Sequence, residues 1–153
     1  MRLFVLLSML GIGLLSCKNN GQNTGYATAA KKESPVSKVK EIIIENQEPV
    51  KPDFRVLEMT NANDVLTLIV QYGGGCEEHD FNAYFSGGWG KSLPPQAAIS
   101  FEHLNPNNDR CRSIVKDTFE FNLKPLQFSG SKEVVVKWSV DSEKQTIYKY
   151  GKK

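Results

Sequence analysis

The chain has 153 residues, 40% of them hydrophobic and 24% charged, with a formal net charge of +2. That length bounds the protein to one ordinary core, and its near-balanced charge argues against a polybasic nucleic-acid binder. From the N-terminus, Leu3 to Leu15 is a largely apolar run behind Arg2, ended by Lys18-Asn19-Asn20-Gly21. A charged start followed by a short apolar stretch is the layout of a secretory signal. It falls short of the roughly 20 apolar residues a membrane-spanning helix needs.

Leu14-Leu15-Ser16-Cys17 resembles the lipobox of bacterial lipoproteins. Leu14 stands at the aliphatic position, Ser16 at the small one and Cys17 at the cysteine. The resemblance implies that residues 1–16 are removed and that Cys17 is diacylated on sulfur. Each buried CH₂ of an acyl chain contributes about 0.8 kcal/mol, so two or three chains hold a protein at a membrane with no spanning helix. The plain alternative is an ordinary cleaved signal that happens to contain a cysteine.

Residues 17–40 then read as a lipidated cysteine and a polar tether, rich in Asn, Gly, Thr, Ala, Ser and Lys, with Pro35 near its end. Such a composition buries too little apolar surface to offset chain entropy. Residues 18–40 carry five Lys against Glu33, whereas residues 41–153 carry thirteen Lys and Arg against sixteen Asp and Glu. A basic tether is weakly drawn to anionic headgroups, although a solubilising linker with no specific partner is the plainer reading. Lipoproteins bound for the outer face of Bacteroidota often carry an acidic run after the cysteine. None follows Cys17, so the domain is expected to face the periplasm.

Strand signals dominate residues 41–153, which are expected to fold as one all-β sandwich of about seven or eight short strands, with a small closed barrel as the runner-up. Glu41 to Glu45, around three isoleucines, is the earliest candidate, followed by Phe54 to Met59. Val65 to Val70 is apolar on both parities and lies between Asn61-Ala62-Asn63-Asp64 and Gly73-Gly74-Gly75, so it reads as a central strand. His79 to Phe85 and Ala97 to Phe101 come next. Phe119, Phe121 and Leu123 alternate with polar residues, and Val134, Val136, Trp138 and Val140 repeat that period. The segment Asp141 to Gln145 turns the chain into Thr146 to Tyr150, a C-terminal hairpin.

With Cys17 assigned to lipid, Cys76 and Cys111 remain as an even pair in an oxidising compartment, and a disulfide is the expectation. Closing that loop restricts the unfolded chain by about 4 kcal/mol in the entropy account. The two histidines of the chain sit near the same cysteines: His79 three residues after Cys76, His103 eight before Cys111. Strand parity turns both inward, His79 with Phe81, Ala83 and Phe85, and His103 with Ile99 and Phe101. Three readings are open. Two Cys and two His can complete a zinc shell. Alternatively the cysteines pair, and His79, His103 and a carboxylate, Asp80 or Asp109, hold a metal. Finally, both rings can be neutral and satisfied inside the core, as buried polar groups must be.

Asn105-Pro106-Asn107-Asn108-Asp109 is dense in oxygen atoms that calcium accepts, but it lacks the spacing of a calcium loop, and turns use the same residues for their own backbone. Ser86 to Pro95 reads as a long exposed loop in which Trp89 either contacts a partner protein or glycan or folds back onto the core. Gly90-Lys91-Ser92 ends like a phosphate loop, but Phe85 stands where its first glycine is required. No nucleophile elbow or equivalent accompanies the histidines, so no catalytic residue is expected.

The stretch Gly74-Gly75-Cys76-x-x-His79-x-Phe81, with His103 and Asp109-x-Cys111, is similar to a pattern found in small uncharacterised envelope lipoproteins of Bacteroidota. That resemblance implies a location and no activity. The expected function is a non-enzymatic binding or structural role in the bacterial envelope, anchored to the membrane by lipid, presenting the loops near Cys76, Trp89 and Asn105. The alternatives are a metal-binding protein using His79 and His103, and an inhibitor of an envelope-attacking enzyme.

Overall fold

A computed structural model describes residues 38–48, 51–105 and 107–151. The expected signal, Cys17 and nearly all of the tether lie outside these residues. In chain order the strands are β1 (Lys40–Glu41), β2 (Ile43–Ile44), β3 (Phe54–Ala62), β4 (Val65–Gly74), β5 (Asp80–Gly90), β6 (Gln96–Leu104), β7 (Ser113–Asn122), β8 (Glu133–Trp138) and β9 (Gln145–Lys149), with a single 3-10 turn at Lys124–Leu126. They form two sheets, one ordered β1-β7-β4-β3 and the other β2-β5-β6-β8-β9. The architecture is the expected sandwich; neither sheet closes into a barrel.

The alternation seen in the sequence is what builds the core. Leu66, Leu68 and Val70 of β4, with Phe119 and Phe121 of β7, face Phe81, Ala83 and Phe85 of β5, Ile99 of β6 and Val134 and Val136 of β8, all buried. A buried side chain of this size contributes roughly 1.5–3 kcal/mol. β4 is interior to its sheet, as expected, and Asn63-Asp64 turns β3 into β4 with Asn63 in the left-handed region at φ 53°. The leading segment joins both sheets: β1 pairs in parallel with β7 and β2 in parallel with β5, while Ile42 between them is buried.

Three expectations are corrected. Val140 does not continue the inward series of β8; the strand ends at Trp138, the Ser139 N–H bonds the Ile99 carbonyl, and Val140 is 50% exposed. The chain from Ser86 to Gly90 is not loop but the end of β5, which a register shift between Phe85 and Trp89 carries on to Gly90. Before Phe119, β7 already runs from Ser113, along Ile114-Val115-Lys116-Asp117-Thr118, where the apolar residues show no clean period.

Two of the passages from one sheet to the other lie at the same end of the sandwich. β4 leads into β5 across residues 75–79, and β6 into β7 across residues 105–112. Cys76 and Cys111 join these two crossings by a disulfide with Cα atoms 6.0 Å apart.

Candidate functional site

The polar centre of the molecule lies at that end, under the disulfide. Gly74 and Gly75 leave β4 with φ of +140° and +104°, which few side chains tolerate. A Cβ on Gly74 would stand 2.8 Å from the His79 ring, so the missing side chain is what lets His79 turn inward before β5 begins. Phe81 is the register partner of His103, which carries the second imidazole to the same place from β6.

The two rings meet directly. His79 Nδ1 and His103 Nε2 are 2.7 Å apart. On the far side of each ring stands a carboxylate: Asp109 Oδ2 is 3.3 Å from His79 Nε2, and Asp53 Oδ1 is 2.9 Å from His103 Nδ1. The order is therefore Asp53, His103, His79, Asp109, in one line. Tyr72 of β4 packs on both imidazoles at centroid distances of 4.8 Å, and Phe81 stacks on His103, also at 4.8 Å. Parity foretold the inward histidines. Asp53, fifty residues before His103 in sequence, gave no local signal.

Asp109 organises the crossing loops. Its Oδ1 accepts the Cys111 N–H, and its Oδ2 accepts the N–H groups of Cys76 and Glu77. The bond from Cys111, then those from Cys76, Glu77 and His79, hold its carboxyl well below the ordinary 3.8, against the opposing pull of burial. Burial, followed by the Asp117 carboxylate that accepts its hydroxyl, pushes Tyr72 from 10.0 to about 12.

The metal expectations can be set against these donors. Cys76 and Cys111 are bonded to each other, so neither is a thiolate for a four-ligand zinc shell. His79, His103 and Asp109 do not converge on a point: Asp109 takes the outer nitrogen of His79, and the inner nitrogens are too close for one tetrahedral ion, whose nitrogen ligands at about 2.0–2.1 Å stand farther apart. Asp80, the other carboxylate considered, pairs with Lys40 at 2.6 Å. In the Asn-rich loop, Asn105 Oδ1 accepts the Asp109 N–H at 2.7 Å and both Asp109 oxygens accept backbone N–H groups, so these oxygens serve the loop's own turn.

Trp89 is far from this centre, at the other end of β5, nine residues and about 30 Å along the strand from Asp80. Its half-buried ring packs against Phe85 and Phe128 at 5.0 and 5.1 Å, the arrangement of a lid. The loops at Cys76 and Asn105 thus share one end of the sandwich and Trp89 belongs to the opposite end.

A groove of about 370 Å³ adjoins the histidine line, with Phe54, Phe101, His103 and Trp138 in its floor and Lys51, Asp53, Glu102 and Ser139 among its walls. It exists because β8 pairs with β6 only from Gln96 to Ile99, leaving Ser100–Leu104 beyond the last rung. Among the described residues no hydroxyl or thiol bonds either imidazole; their partners are each other and the two carboxylates.

No family model matches the chain, and no curated protein matches it. Among solved structures it is similar to a protein of unknown function, DUF1344, from Bacteroides vulgatus, at 18% identity and a TM-score of 0.46 over 76% of this chain and 58% of that one. It is also similar to a protein described as toxin-related from Parabacteroides distasonis, at 19% identity and a TM-score of 0.45 over 72% and 59%. The chain spans less than two thirds of the length of each.

Proposed function

We propose that the chain is an exported protein of the bacterial envelope, anchored to the membrane by lipid on Cys17 and facing the periplasm, whose sandwich domain binds or structures an envelope component without catalysis. The observation that carries this reading is the Cys76–Cys111 bridge. Structural disulfides belong to oxidising compartments. With three cysteines in the chain, the bridge leaves Cys17 as the odd one, directly behind the apolar run. The partner is an envelope protein or glycan, not nucleic acid, since residues 41–153 are net acidic. We assign its contact to the end that carries the disulfide, the Asn105 loop and the groove beside His103, because the Trp89 ring is engaged with Phe85 and Phe128.

The test is to express the full chain in a Bacteroidota host with an acyl-chain probe. The wild-type protein should take the label and sediment with membranes. Cys17→Ala should lose both label and membrane association while keeping the oxidised bridge. Unlabelled wild-type protein in the cytosol with all three thiols free would contradict the reading.

A further inference from the structure

The histidine line holds an inconsistency in its proton count unless it carries an extra charge. Ionised carboxylates only accept hydrogen bonds, so the nitrogens facing Asp53 and Asp109 must each bear a hydrogen. A neutral imidazole has one N–H. With both outer nitrogens protonated, two neutral rings would point bare lone pairs at each other across 2.7 Å. A third proton between His79 Nδ1 and His103 Nε2 turns that clash into a charge-assisted bond, and a carboxylate on either side favours the resulting positive charge.

From this we infer that the His79–His103 pair is a proton-operated latch, in which one shared proton keeps Asp53, and the strap of residues 51–54, fastened against the groove. The consequence of losing that proton follows from exposure. Asp109 has a side chain 3% exposed and is bound to three backbone N–H groups, so it keeps its bond from His79 Nε2. The inner nitrogens are buried, the side chains being 0% and 3% exposed, and they must stay hydrogen-bonded. Both conditions are met when the hydrogen on His103 sits on Nε2 and is donated to His79. His103 Nδ1 is then bare and faces a carboxylate. Asp53, 69% exposed, is the one partner that water can replace, so it is the contact that opens.

Among the described residues, the other groups around the pair do not offer an alternative partner. Tyr72 meets the rings with its face and points its hydroxyl to Asp117 on β7; Phe81 and Phe54 are apolar. Glu77 contributes a backbone N–H to Asp109. Glu48, Lys51 and Glu102 line the groove on the His103 side; of these Lys51 alone carries the charge that attracts a released Asp53.

The chain has only two histidines, so ring-nitrogen NMR of the ¹⁵N-histidine-labelled mature protein reads the pair without ambiguity. The latch predicts three protonated ring nitrogens in the fastened state, falling to two in a single step as pH is raised. In that step His103 changes its hydrogen from Nδ1 to Nε2, and the amides of residues 51, 53 and 54 move together with it. In Asp53→Asn the side-chain amide satisfies His103 in either state, so the ring step persists and the strap no longer follows it. The inference is overturned by two protonated nitrogens throughout the folded range, by a strap that responds alike in both proteins, or by a metal ion retained on the ring nitrogens in native mass spectrometry.

Discussion

Gly74 shows how a single missing methyl group permits the polar centre. Its φ of +140° and the 2.8 Å approach to the His79 ring leave no room for a side chain. Gly74→Ala is expected to destabilise the fold by about 1–3 kcal/mol, measured by urea unfolding. At Asp109 the sign of the pH dependence is fixed by the direction of its shift. Its folded value lies below 3.8, so its stabilisation is complete above that value and is lost as pH falls through the folded one. Asp109→Asn should therefore lower Tm at neutral pH and flatten the loss of stability in strong acid. Tyr148 behaves oppositely. Fully buried, donating to Asp64 and accepting from Gln127, it is pushed from 10.0 to about 12, chiefly by burial. That stabilisation is present below pH 10 and fades as pH rises through the folded value, so Tyr148→Phe should cost about 1–2 kcal/mol at neutral pH. At this scale the sequence was partly readable: parity turned both histidines inward, but no rule of spacing brings Asp53 to His103, because that contact depends on where the segment before β3 crosses the end of β6.

The elements that matter most to the site are two of the crossings between sheets, β4 to β5 and β6 to β7. The disulfide separates its cysteines by 35 residues and ties residues 75–79 to residues 105–112. Cys76→Ser with Cys111→Ser should lose about 4 kcal/mol of stability in reversible chemical unfolding. A loss near zero would mean that the hydrogen bonds of Asp109 already hold the crossings. Strands with a strict period of two, such as β8 and the end of β7, could be read directly because one face is buried, and β4 from its apolar run between turn residues. The first half of β7 could not: Ile114 is 70% exposed beside half-buried Val115, so its apolar residues are not sorted by face. β5 hid its end differently. Ser86-Gly87-Gly88 looks like a loop, and Gly87 at φ +79° supplies the irregularity through which the strand continues to Trp89.

For the whole molecule, the sandwich followed from the number and spacing of the strand segments, while the pairing of β1 and β2 with different sheets rests on long-range packing around Ile42 that local pattern does not encode. Among the described residues no helix is long and apolar enough to cross a membrane. The proposed attachment rests on lipid at Cys17, and the proposed place in an oxidising compartment on the other two cysteines. Both are read at once in the intact mass of the protein extracted from membranes of its host. The account predicts a chain beginning at Cys17 that carries its acyl groups and lacks two hydrogens for the Cys76–Cys111 bridge. A full-length chain with Met1, no lipid and three free thiols would contradict it.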